Sequence, residues 1–161
     1  MKPALLLLLV LSNYLSYSQR LVDFKLFQKQ AEVDNYLRSL CKIHNNSAKR
    51  LIGQEELTEV IPLPSIKSDV YASLITVHFV YVSVIKTYVS DIMAITVEDK
   101  QVPKYLEVLN KKYQHVGDHW EYDTGKSIAG KEIYYHFQFE LGPNDHTPIG
   151  YSLIRGKISL K

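Results

Sequence analysis

The chain reads as an α+β domain: a two-layer fold with an antiparallel curved sheet of about four strands, covered by a long N-terminal helix and a second helix. Three observations predict it. Val33, Tyr36, Leu37, Leu40 and Cys41 recur at the three-and-four spacing of one helix face. Residues 71–85 and 133–141 are rich in β-branched and aromatic side chains, which pack well on a pleated surface. Cys41 is the only cysteine, so no internal disulfide forms and burial alone must hold the core.

The first eighteen residues read as a secretory signal peptide. Lys2 supplies a positive start, Ala4 to Leu11 is an unbroken apolar run, and Ser16-Tyr17-Ser18 offers small residues for cleavage before Gln19. The run is shorter than the roughly 20 residues a bilayer span needs. This stretch resembles the export signals of Gram-negative bacteria, which implies a periplasmic or secreted protein. Residues 19–161 then form a single domain. With 19 Lys+Arg against 17 Asp+Glu, and no basic cluster longer than two adjacent residues, the chain lacks the footprint of a nucleic-acid binder.

The pattern predicts one helix over residues 22–45, although Val22, Phe24 and Leu26 also alternate as in a strand. Asn45-Asn46-Ser47 ends it and matches the N-glycosylation acceptor, a tripeptide common by chance. A short second helix is expected from Ala48 to Ile52, with a further turn at 54–57. Pro62 and Pro64 make residues 60–65 a loop, because each lacks a backbone donor and restricts its predecessor.

Residues 71–85 form the clearest strand. Its two apolar faces suggest cover on both sides or a dimer interface; His78 reads as a satisfied core histidine, and it argues with Lys86 against a membrane span. A second strand covers 88–97, joined by a turn at Lys86-Thr87. Pro103 opens a helix that Gly117 stops. Strands follow at 120–122, 133–141 and 151–160, the last bent near Gly156; the turn between the latter two includes Gly142 to Asp145 and is followed by a solvated His146. In the strand 133–141, Ile133, Tyr135, Phe137 and Phe139 oppose a wet face of Tyr134, His136, Gln138 and Glu140. The architecture is similar to cystatin-like and NTF2-like folds, an analogy that carries no function.

Chemistry is sparsely marked. Gly125 to Lys131 fits G-x-x-x-x-G-K, but Glu132 stands where a phosphate loop needs Ser or Thr, and a strand follows instead of a helix. His115 and His119, four apart, suggest the start of a zinc site with a third ligand from Asp118, Glu121 or His136, although Gly117 lies between them. Twelve tyrosines are the one compositional excess. They point to an aromatic binding face carrying Trp120, Tyr122, Tyr134, His136 and Gln138. No nucleophile elbow is present. The expectation is therefore an exported binding module for a protein, a glycan or a small apolar ligand. The alternatives are a zinc-dependent hydrolase at His115 and His119, and an envelope component that homodimerises through residues 71–85.

Overall fold

A computed structural model describes residues 20–41, 48–51, 56–62, 66–140 and 147–161. The segment read as an export signal, the tripeptide 45–47 read as a glycosylation acceptor, the turn expected at 142–145 and His146 lie outside the described residues. The fold is α+β: an open antiparallel sheet with two helices. Among the described residues the strands are β1 (Ala48–Leu51), β2 (Glu56–Ile61), β3 (Leu74–Val82), β4 (Thr87–Glu98), β5 (Gln114–Val116), β6 (His119–Ile128), β7 (Lys131–Glu140) and β8 (Tyr151–Leu160). They form one eight-stranded sheet in the order β1-β2-β3-β4-β8-β7-β6-β5. The helices are α1 (Gln30–Leu40) and α2 (Val102–Lys112). No helix among the described residues is long and apolar enough to cross a membrane.

The topology is two antiparallel meanders joined where β8 lies against β4. α2 carries the chain from β4 to the far edge at β5. Four strand spacings amount to about 19 Å. The 11 residues of α2 span roughly 16 Å, so the helix nearly matches the sideways step. Pro103 sits in its first turn, where a missing N–H costs nothing.

The sheet has eight strands where about four were expected: the segment read as a short helix, a turn and a loop is instead β1 and β2, and β5 was read as part of the helix that Gly117 stops. The long helix is also shorter than expected. Residues 21–28 are neither helix nor strand, and Phe27 adopts a left-handed φ of 51° that a helix does not allow. Val22 and Leu26 are buried while Asp23 is exposed, as the alternation allowed. The segment lies against the sheet and is pinned along its length. Val22 N–H donates to Tyr105 Oη at 3.0 Å, and Tyr135 Oη donates to the Leu26 carbonyl at 2.8 Å. Ser90 Oγ donates to the Lys25 carbonyl.

Among the described residues, both helices and the segment 21–28 pack on one face of the sheet; the opposite face carries no helix, although Thr96 and Leu153 are buried on it. Ile75, Val77, Phe79, Met93, Ile95, Ile154 and Phe137 meet Val33, Leu37 and Leu40 of α1 and Tyr105 and Leu109 of α2 in one core. Cys41 joins it, its thiol pKa raised by burial against the opposing pull of Lys67. Gly156 of β8 completes this face, since the rings of Phe24 and Phe137 occupy the space a side chain would need. β3 is an interior strand whose covered face is dry. His78 is not a core residue. It lies on the opposite face, 2.6 Å from Asp91 and 3.7 Å from Glu56.

Candidate functional site

Strand alternation decides which side chains meet on the helix-free face. In β6, Trp120 and Tyr122 point to the covered side, so His119 and Glu121 point away from it. In β7, Phe137 and Tyr135 are covered, so His136 and Gln138 are not. The register pairs Glu121 with His136 and Trp120 with Phe137. It also pairs His136 with Lys157, Gln138 with Arg155, and Lys157 with Ile92. A row therefore runs Glu121, His136, Lys157, Ile92 across four strands, with His119, Gln138 and Arg155 beside it.

These residues enclose a shallow pocket of about 440 Å³ lined by Ile92, His119, His136, Gln138, Arg155 and Lys157. Three ligand-type groups converge at its β6 side. His119 Nε2 lies 3.2 Å from Glu121 Oε1, and His136 Nε2 lies 3.4 Å from the same oxygen. The imidazole rings stack with centroids 5.1 Å apart. Although close to Glu121, His136 Nε2 makes no hydrogen bond and its surface is closed to water. The separation is that of an ion pair, but the angle is not that of a bond. Lys161 Nζ donates to Glu121 Oε2 at 3.1 Å, and Arg155 pairs with Glu140 at 3.1 Å. Lys157 has no carboxylate within ion-pair distance among the described residues.

The two imidazoles are driven in opposite directions. His119 is held above the usual histidine range, chiefly by its contact with Asp118 and next by Glu121. Both its nitrogens face carboxylates, so the doubly protonated ring fits best. Burial pushes His136 below the usual range, against the attraction of Glu121. Glu121 is held below the usual carboxylate range by Lys161 first and His119 second.

The five residues expected to form one aromatic face do not share a face. Trp120 is 7% exposed under α2, where its indole N–H donates to Asn110 Oδ1 at 2.8 Å. Tyr122 lies on that same side, ring to ring with Tyr113. Tyr134, His136 and Gln138 are on the other. The expected histidine pair is likewise divided. His115 and His119 are not on a helix, because α2 ends at Lys112 and Gly117-Asp118 is a hairpin turn between β5 and β6. His115 packs 4.7 Å from the Trp120 ring, and His119 points into the pocket with Glu121 and His136.

Arg155, Lys157 and Lys161 went unmarked in the sequence. Their signal is the alternation of β8, whose odd-numbered residues face away from the core. The segment Gly125 to Lys131 is a hairpin, with Ala129 and Gly130 at φ 50° and 78°. Compared with known proteins, the chain matches no family model, no curated protein and no solved structure.

Proposed function

We propose that this chain is an exported binding module that takes a small ligand bearing a carboxylate, sulfate or phosphate group on the helix-free face of its sheet. The observation that carries the reading is the pocket itself. Its volume of about 440 Å³ falls in the range of small-molecule sites, roughly 300–1,000 Å³. Arg155 and Lys157 present only donors to it, and Gln138 adds an amide. Such a lining favours an anion over the apolar ligand expected from the aromatic residues. Arg155 is already oriented by Glu140, so one edge of its guanidinium is spoken for. Lys157, with no carboxylate partner among the described residues, is the main charge left for a ligand.

The test is a ¹⁵N-resolved NMR titration of metal-stripped protein with inorganic phosphate and, separately, galacturonate. Saturable shifts confined to residues 119–121, 136–138 and 155–157 are expected, and Lys157→Ala should weaken them at least fivefold. Shifts spread evenly over the surface, or an unchanged affinity in Lys157→Ala, would remove the reading.

A further inference from the structure

The convergence of His119, Glu121 and His136 is tighter than anion binding requires. His119 Nδ1 lies 3.1 Å from Asp118 Oδ1 and its Nε2 lies 3.2 Å from Glu121 Oε1. In a neutral ring with Nδ1–H donating to Asp118, Nε2 is a bare lone pair facing a carboxylate oxygen. Two acceptors at that distance need a positive charge between them. A proton on the line satisfies His119 alone. It leaves His136 Nε2, 3.4 Å from the same oxygen, without a bond.

An ion set off that line satisfies all three atoms at once. Zinc–nitrogen bonds of about 2.0–2.1 Å in tetrahedral geometry place neighbouring ligand atoms about 3.3 Å apart. Two edges of this set, 3.2 and 3.4 Å, already have that length, and all three atoms lie within 4.8 Å of one another. Asp118 supplies the outer carboxylate that fixes the tautomer of a ligating histidine.

We infer that His119 Nε2, Glu121 Oε1 and His136 Nε2 bind a divalent transition ion of the zinc class, with its remaining coordination position open to the pocket. Two imidazoles and a carboxylate suit such an ion better than calcium or magnesium, which take oxygens, or copper(I), which takes sulfur. Glu121 and His136 are register partners on β6 and β7, and His119 lies two residues before Glu121 on the same face, so the strand ladder holds their spacing without an ion. Lys161 opposes the ion, since its Nζ also lies 3.4 Å from Glu121 Oε1.

The test is zinc titration of chelator-treated full-length protein in phosphate-free buffer, by competition with a chromophoric chelator, with cobalt(II) as a spectroscopic probe. One bound ion per chain and visible cobalt bands of a four- or five-coordinate site are expected. His136→Ala and Glu121→Gln should each weaken binding by roughly 100-fold, and Asp118→Ala by roughly 10-fold. His115→Ala, on the other face of the sheet, should change nothing. Lys161→Met removes a competing cation and should tighten binding severalfold, a gain that misfolding cannot mimic. Absence of saturable binding would overturn the inference, as would binding that survives both His136→Ala and Glu121→Gln. Weaker or unchanged binding in Lys161→Met would overturn it too. Because no anion is present, failure here leaves the anion reading standing, and failure of the phosphate titration leaves this one standing.

Discussion

Placing one methyl group on Gly156 should destabilise the fold, for purely steric reasons. A Cβ there would lie 2.7 Å from Phe24 Cδ1, and 2.9 and 3.0 Å from Phe137 Cε1 and Cδ1. Carbon atoms pack best at about 3.5–4.0 Å, so the rings must give way by most of an ångström. Phe137 has nowhere to go, being fully buried and stacked on Tyr113 at 4.5 Å. Phe24, edge-on to Phe137 at 5.1 Å and half-buried, must move and take residues 21–28 with it. Overpacking of this kind costs about 1–3 kcal/mol. Alanine recovers about 0.5–1 kcal/mol of chain entropy relative to glycine. The midpoints of these ranges leave a net loss of about 1.3 kcal/mol, a fall in Tm of roughly 3–5 °C for a domain of this size. Urea unfolding followed by circular dichroism measures it. In a Phe24→Leu background the same change should cost less by about 1 kcal/mol, the coupling expected of touching side chains. A Gly156→Ala variant as stable as the parent would refute the placement of residues 21–28 over β7 and β8.

Two further outcomes follow from the backbone and the buried phenols. Ala129 sits at φ 50° in the β6–β7 turn, a conformation that costs a non-glycine residue about 1–2 kcal/mol. Ala129→Gly should therefore raise stability by about 0.5–1 kcal/mol in the same urea assay; a loss would mean that the turn is built differently. Burial raises the Tyr36 pKa to about 12, against its bond from the Asp23 N–H, and drives Tyr105 higher still. The neutral phenol is thus favoured in the folded state. The stability it brings is complete below the ordinary value near 10 and is lost as pH rises through about 12. Ultraviolet titration should show at least these two tyrosines ionising only as the fold gives way. Smooth ionisation of every tyrosine near pH 10, with circular dichroism unchanged, would contradict that burial.

The strongly patterned segments were legible. β8 has the expected bounds, and the alternation of Ile133 to Phe139 correctly separates the covered side from the wet one. The start of the long helix was not legible, because Leu21, Phe24 and Phe27 fit a helix as well as Val22, Phe24 and Leu26 fit a strand. The choice is made by a hydrogen bond from the Val22 N–H to Tyr105 and one from Tyr135 to the Leu26 carbonyl, both partners distant in sequence. At the site, the decisive local signal was Gly117-Asp118, a two-residue hairpin connection between Val116 and His119. The four-residue spacing suggested His115 and His119 as partners, and the aromatic excess grouped Trp120 with His136. Reading Gly117-Asp118 as a hairpin turn starts β6 at His119 and sets His119 and Glu121 on one face. What no local pattern supplies is the β4–β8 pairing, which brings Ile92, Arg155 and Lys157 to the same pocket from positions more than sixty residues apart.

His119, Glu121 and His136 bring their ligand atoms within 4.8 Å of one another on the helix-free face. Proton NMR of the cobalt(II)-loaded protein addresses that convergence directly. Two strongly shifted, exchangeable imidazole N–H signals are expected, and His119→Ala and His136→Ala should each remove at least one of them. A spectrum with no such signals, or one whose signals vanish in His115→Ala, would contradict the register that brings these residues together.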